Sequence, residues 1–284
     1  MTAKLTTVRS GALTTVQDAG RPGHAHLGVP RSGALDAPAM RLANRLLGND
    51  PGAAVLETTL TGCALRPDRD VTVVVGGAPC PVTVDAGPVA WGAPVRVPAG
   101  SVLDVGAVTA GVRSYVAVAG GVAVEPVLAA ARRICSRGWA RTRCGTGTSW
   151  RWALPRGRCP PRRAPWPGPP AELVLPVRPG PRADWFSPAA LRTLTSAAYR
   201  VSPHSNRIGL RTEGPPLERA STGELPSEGM VLGAVQVPPD GRPVIFLHDH
   251  PTTGGYPVVA VVPEPALAAA AQAAAGTPLR FTLA

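Results

Sequence analysis

Most of the chain is written as short apolar runs, each closed after a few residues by glycine, proline or aspartate. Runs of that length between turn formers predict β-strands. Leu5 to Val16 reads as strand, turn, strand, and further strands are expected at Ala54–Leu60, Val71–Val75, Pro81–Val84, Val95–Val97 and Ser114–Ala119. One stretch breaks the pattern: Ala37 to Leu47 sets Met40, Ala43, Leu46 and Leu47 on one face at helical spacing, with Asp36 to cap its start and Gly48 to stop it. From Ala171 a second block repeats the style. Strands are expected over Glu172–Val177, Tyr199–Val201, Ile208–Thr212, Met230–Val237, Val244–Leu247 and Val258–Val262, with helices at Pro188–Ala198 and Pro265–Ala275. Each block carries a polar loop rich in glycine and proline, a short acidic element and strands behind it, so a duplicated β-barrel-like unit is expected.

Composition agrees with this reading: 284 residues holding 32 glycines and 34 prolines suit many short strands and turns, and the length suggests two domains. The first residues lack a charged stretch followed by an apolar one, and no run nears the roughly 20 apolar residues needed to span a bilayer, so a cytoplasmic protein without a membrane role is expected. A formal charge of +11 would ordinarily suggest a nucleic-acid partner. Its distribution argues against one, because ten arginines and no acid lie between Leu128 and Trp166, which accounts for nearly all of the surplus.

That segment also holds Cys135, Cys144 and Cys159 and four of the six tryptophans. The domain reading is therefore a first unit over residues 1–127, an anomalous segment over 128–170 and a second unit over 171–284. A solvated basic linker would suit the arginines and prolines but not the tryptophans and cysteines. A different reading is translation out of frame from a GC-rich gene, in keeping with one lysine, Lys4, against 28 arginines. Read one base earlier, so that each codon joins the last base of one to the first two of the next, Trp139 followed by Ala140 must give glycine, as must Trp152 followed by Ala153. Threonines after arginine or glycine can give the missing aspartates. With permitted third bases the segment from Leu128 becomes GSRSTDLLSRLGPDPLRDGDVLALG, with ordinary turns, acids and strand alternation.

Several chemistries are set aside at once. His24 with His26, and His248 with His250, have the spacing that puts two metal ligands on one face of a strand, but no carboxylate cluster accompanies both pairs and no metal is expected. The three cysteines of the middle segment lack C-x-x-C spacing, and Cys63 and Cys80 read as core. Gly145–Trp150 (GTGTSW) has the composition of a phosphate loop without its strand and helix context. Lys4 alone cannot supply a G-x-x-x-x-G-K motif, and no G-x-S-x-G elbow occurs. What remains is a set of polar residues in glycine-rich loops: Arg31, Ser32 and Asp36 early, then Asn206, Arg207, Glu213, Glu228, Gln236, Asp249, Thr252 and Thr253 with Gly254 and Gly255. Arginine offers a two-pronged fork to carboxylate or phosphate, and a Thr-Gly-Gly loop can present backbone N–H groups to an oxyanion.

Six of these stretches, TVQDAGRPG (15–23), VPRSGALD (29–36), ANRLLGN (43–49), SNRIGLR (205–211), GAVQVPPDG (233–241) and TTGGYP (252–257), occur in one order that resembles the biotin-dependent carboxyltransferase family. That family includes the C subunit of bacterial 5-oxoprolinase, KipA-like proteins and the matching part of urea carboxylase. The resemblance implies a mostly β fold of two cyclophilin-like β-barrel subdomains with a few short helices. It also implies one subunit of an ATP-dependent enzyme that opens 5-oxo-L-proline to L-glutamate, working with a KipI-like B subunit and an A subunit. ATP would be used through the complex. On this resemblance Arg207, Asn206 and Asp249 are expected to handle the substrate catalytically, with Arg31, Ser32, Asp36, Glu228, Gln236 and Thr252 to Gly255 binding it. The alternatives are carboxyl transfer to urea or a similar amide from biotin carried on another protein, and a non-catalytic KipA-like regulator. Two departures stand out. Members continue after the Gly120–Gly121 strand with a stretch resembling GSRSTD, which only the shifted frame supplies, and they carry DRQTTGG where this chain reads HDHPTTGG.

Resequencing the gene is expected to reveal compensating single-base shifts, one near Leu128 and one between about Leu154 and Ala171. A verified gene whose shifted phase gives stops or no strand-like reading would overturn the out-of-frame reading.

Overall fold

The computed structural model describes residues 3–123, 128, 145–152, 164–221 and 223–284. Most of the anomalous segment, including Cys135, Cys144, Cys159 and Trp139, lies outside the described residues. The chain divides into two compact units, Met1–Arg21 with Ser32–Pro169, and Pro22–Arg31 with Pro170–Ala284.

The first unit holds two sheets. One runs in the order Val122–Ala123, Ser149–Trp152, Ala3–Arg9, Cys63–Pro67, Leu103–Val105, Val82–Val84, Gly87–Pro88. The other runs Leu13–Gln17, Val55–Thr59, Arg113–Val118, Val71–Gly77, Pro94–Val97. Leu5, Leu65, Leu103 and Val105 from the first sheet share a core with Leu56, Val73, Val75, Val116 and Val118 from the second. The opposite face of the second sheet, with Val55, Val74, Tyr115 and Ala117, is covered by Met40, Ala43 and Leu46 of the helix Ala37–Leu46. Covering both faces explains why all six residues of Arg113–Val118 are buried, where one covered face would give alternation. The helix begins as its sequence predicts, with Asp36 Oδ1 accepting from Ala39 N at 3.0 Å, and Gly48 after it takes φ +72°.

Of the anomalous segment, Gly145–Trp152 is described. Thr148 N donates to Gly145 O at 3.0 Å, closing a turn, and Ser149–Trp152 then pairs with Ala3–Thr6. Trp150 and Trp152 face the core while Ser149 and Arg151 are exposed. Trp166 packs on Trp91, with centroids 5.6 Å apart, and lies so close over Gly76 that a Cβ there would meet it at 2.0 Å.

The second unit is a closed barrel of seven strands in the order Leu173–Pro179, Val258–Val261, Ala234–Gln236, Val244–Phe246, Gly209–Glu213, Tyr199–Val201, Pro278–Leu283. Pro278–Leu283, not anticipated from sequence, closes it by pairing parallel with Leu173–Val177. Helix Pro188–Ser196 starts at Ser187, whose Oγ accepts from Ala190 N at 3.1 Å. The expected strand Met230–Val237 shortens to Ala234–Gln236, because Ala234 N turns back to Val231 O and Gly233 adopts φ +81°. The expected helix Pro265–Ala275 is a 3-10 turn, Glu264–Ala266, followed by the α-helix Leu267–Gln272. Among the described residues, no helix is long and apolar enough to cross a membrane.

Gly233 tests this packing. A Cβ at Gly233 would lie 2.1 Å from Val262 O, whereas Gly276, at φ +82°, has open space around it. Gly233→Ala is expected to cost more than about 1 kcal/mol and to exceed Gly276→Ala, which isolates the backbone part alone. Equal urea-unfolding midpoints for the two variants would contradict the close approach.

Candidate functional site

Register decides which side chains meet in the second unit. Gln236 pairs with Val244 and Val258, Ala234 with Val261, and Phe246 with Gly209, so Ala234, Gln236, Val244, Phe246 and Val258 share one face. The apolar members cluster with Met230. A bulge between Val235 and Gln236 lets Val258 follow directly on the loop that covers this face.

The loop leaves the strand Val244–Phe246 through a turn fixed by one ion pair. Arg207 Nε lies 2.9 Å from Asp249 Oδ2 and Arg207 Nη2 lies 3.3 Å from Oδ1, with both side chains more than nine-tenths buried. Main-chain bonds reinforce it, from Asp249 N to Arg207 O at 3.1 Å and from Leu247 N to Ile208 O at 2.9 Å. His250 stacks on Phe246 at 6.1 Å and its Nδ1 donates to Pro251 O at 2.7 Å. Burial holds the His250 imidazole below its ordinary range, against the pull of Pro251 O and the Asp249 carboxylate, so it is neutral at pH 7.

Beyond Pro251 the loop is held from its neighbours. Thr253–Gly254 pairs with Glu228–Gly229, and Met230 N donates to Thr252 O at 2.9 Å. Gln236 Nε2 donates to Tyr256 O at 3.1 Å, and Val237 N to Pro257 O at 3.0 Å. Arg219 sits 5.8 Å over the Tyr256 ring. The Thr252 and Thr253 hydroxyls have no partner among the described residues, and Thr253 is exposed. The loop therefore offers two hydroxyls and a glycine backbone on a braced frame, which suits an oxygen-bearing small molecule.

The remaining expected site residues divide as follows. Asn206 Oδ1 accepts from Ile208 N at 2.8 Å, closing a turn beside Arg207. Glu228 is paired with Arg182, and Arg31 with Glu264 through Nη1 and Nη2, both at 2.9 Å. In the first unit Ser32 is fully buried at φ +56°, its Oγ without a partner among the described residues, and Asp36 caps the helix. Sequence reasoning missed what anchors that stretch. Glu57 Oε2 accepts from Leu35 N and from Tyr115 Oη, each at 3.0 Å, and Tyr115 Oη accepts from Asp36 N at 2.8 Å. Burial first, then the Glu57 and Asp36 charges, drive the Tyr115 pKa well up, keeping it a donor. The signal was Glu57, the one charged residue in the middle of the strand Val55–Thr59.

His24 precedes the 3-10 turn Ala25–Leu27 and His26 lies within it, and His248 and His250 lie in the turn after Val244–Phe246, so neither pair has the strand geometry expected of it. Among the described residues no group of three His, Cys, Asp or Glu could hold a metal. A surface pocket of about 480 Å³ lies beside Ser202, Arg211, Glu213, Asp240 and Arg242, and Glu213 is the one polar loop residue singled out from sequence that lines it.

Comparison with known proteins gives this arrangement a family. Residues 27–283 match the carboxyltransferase domain, subdomains A and B, and the chain belongs to that family. It is 35% identical to the C subunit of the 5-oxoprolinase of Escherichia coli (strain K12), covering 96% of this chain and 89% of that protein. It is 31% identical to the urea amidolyase of Saccharomyces cerevisiae, covering 95% of this chain but 16% of that protein. The solved structure of TTHA0988 superposes with a TM-score of 0.88 at 36% identity over 99% of this chain, which spans 56% of that one.

Asp249→Ala, which removes the carboxylate gripped by the buried Arg207, is expected to cost about 3–5 kcal/mol. Arg280→Ala, which breaks the exposed pair with Glu172, is expected to cost less than about 1 kcal/mol. Urea denaturation of the two variants checks this; a small loss for Asp249→Ala would show the pair is not the anchor of the turn.

Proposed function

We propose that this chain is the C-type subunit of an ATP-dependent 5-oxoprolinase, opening 5-oxo-L-proline to L-glutamate together with A and B subunits. The observation that carries this reading is coverage: the similarity to the C subunit of the E. coli 5-oxoprolinase runs over 89% of that protein, whereas the chain matches a small part of the much longer urea amidolyase. The cytoplasm is the compartment such a complex would occupy.

Gly145–Trp150, the one stretch with the composition of a phosphate loop, does not have the geometry of one. Gly145–Trp150 is a turn running into a paired strand, and among the described residues no helix follows to receive a phosphate. In this reading ATP is used through the complex, and the contribution of this chain is to bind and orient. Thr252 and Thr253 supply hydroxyls, Gly254 and Gly255 supply close backbone, and both can hydrogen-bond the oxygens of a lactam or amide. Asn206, Arg207 and Asp249 hold the base of that loop, and Gln236 holds its far end. Ser32 and Asp36 extend the set of binding candidates in the first unit.

The urea amidolyase similarity supports a second reading, carboxyl transfer to an amide with biotin carried by another protein. Lys4 lies within the strand Ala3–Arg9, paired on both sides, and is no carrier site. A KipA-like regulator bound to a KipI-like partner needs no turnover at all.

Co-expression with the A and B subunits encoded beside it, followed by assay of glutamate release from 5-oxo-L-proline, is expected to show turnover that requires ATP and all three chains. A folded three-chain complex that forms no glutamate would overturn the proposal. Biotin-dependent carboxylation of urea in its place would establish the second reading.

A further inference from the structure

The strands Glu228–Gly229 and Thr253–Gly254 form a separate two-stranded ribbon, two residues on each side. A ribbon that short does not hold its own register in water. Its side chains must do so, and one contact stands out. Arg182 grips Glu228 with two prongs, Nε to Oε2 at 3.1 Å and Nη2 to Oε1. Glu228 lies directly across the ribbon from Gly254. The main chain of Arg182 is tied to the other end of the loop, with Arg182 N donating to Val258 O at 3.1 Å and Gly180 N to Val259 O at 2.9 Å. Gly180 permits that approach, since a Cβ there would stand 2.4 Å from Val258 O.

We propose that Arg182 is a positioning residue that fixes the Thr252–Gly255 loop, clamping its two ends together through Glu228, and that Glu228 therefore acts on the loop rather than on the substrate. The proposal rests on the reading that this loop handles the substrate. Tolerances around the clamp are small: a Cβ on Gly254 would meet Gln236 Nε2 at 2.8 Å and Met230 Sδ at 3.1 Å, so the loop backbone lies against both side chains. Movement on the scale of 1 Å would break the Gln236 bond to Tyr256 O and re-aim the threonine hydroxyls. The pair is about one-third exposed, at 36% for Arg182 and 29% for Glu228, so its removal leaves the barrel folded while releasing the loop. Geometry matters more than charge here, because a lysine cannot reproduce a two-pronged grip. The hydrogen bond from Arg182 also holds the Glu228 carboxyl below its usual range, keeping the pair ionised at neutral pH.

Two measurements test the proposal on full-length protein. Amide hydrogen exchange in peptides covering residues 251–257 is expected to quicken by about tenfold or more in Arg182→Ala, Arg182→Lys and Glu228→Gln, with the thermal midpoint held within a few degrees. Unchanged exchange in these peptides would overturn the clamp, and this readout stands whether or not the complex is an oxoprolinase. In the three-chain complex, Arg182→Ala and Glu228→Ala are each expected to lower kcat by about tenfold with little change in KM, and the double variant to be no worse than either single one. A Glu228→Ala loss far larger than that of Arg182→Ala, or losses that multiply in the double variant, would make Glu228 a substrate contact and overturn the assignment.

Discussion

A charge taken out of water must be met by an opposite charge in good geometry, and the loop of the second unit depends on one such meeting, between Arg207 and Asp249. Both side chains are more than nine-tenths buried, so neither can swing away without breaking the two-pronged contact in a place shielded from water. The pair also closes main-chain bonds between the segments on either side, which sets the direction in which the chain leaves Val244–Phe246. Everything after it follows from an apolar face that needs a cover. Phe246, Val244, Val258 and Ala234 would be wet on their second side without His250, Met230 and the loop above them. Residues 250–257 therefore serve the barrel as a lid on apolar surface, and their exposed hydroxyls and glycines are what that lid presents outward.

The first unit solves a similar problem with different groups. Glu57 is buried on the helix-covered face, directly opposite Tyr115 on the neighbouring strand. Its Oε2 accepts from a phenol and a backbone N–H, its Oε1 lies 3.7 Å from Arg113 Nε, and the phenol is met in turn by the N–H of Asp36. The carboxylate thus lies beneath the start of the helix Ala37–Leu46, where the unbonded N–H groups and the helix dipole favour negative charge. Ser32, just before this anchored stretch, takes a left-handed conformation worth about 1–2 kcal/mol of strain in a non-glycine residue. Fixed points at Leu35 and Asp36 are what let such a conformation persist.

These features were legible in the sequence to different degrees, and the reason is range. The helix Ala37–Leu46 was readable because its cap, apolar stripe and terminal glycine all lie within twelve residues of one another. Strands with several β-branched residues in a row, such as Val71–Gly77, were readable for the same reason. Pro278–Leu283 and Cys63–Pro67 were not, because they are short and their pairing depends on distant partners. The candidate residues show the same divide. The sequence marked the Thr-Thr-Gly-Gly loop by composition, whereas Arg182 carries no local signal, and its role depends on a glutamate 46 residues away. Ser149–Trp152 stands between the two cases: its composition looked foreign, yet its Ser-Trp-Arg-Trp alternation is the one a half-buried strand requires.

With a single lysine in the chain, arginine makes nearly every ion pair, and this has a structural consequence. An ammonium group fixes a distance, whereas a planar guanidinium gripping both oxygens of a carboxylate also fixes a direction. Arg207 with Asp249, Arg182 with Glu228, and Arg280 with Glu172 all adopt that two-pronged form in the second unit. Burial then separates their roles. The first pair is shielded from water and contributes to stability; the last, with side chains 51% and 41% exposed, contributes little. Arg182 and Glu228 fall between, too exposed to hold the fold and too well oriented to be idle. A contact of that kind is suited to setting the shape of a loop, because it can specify geometry without making the fold depend on it.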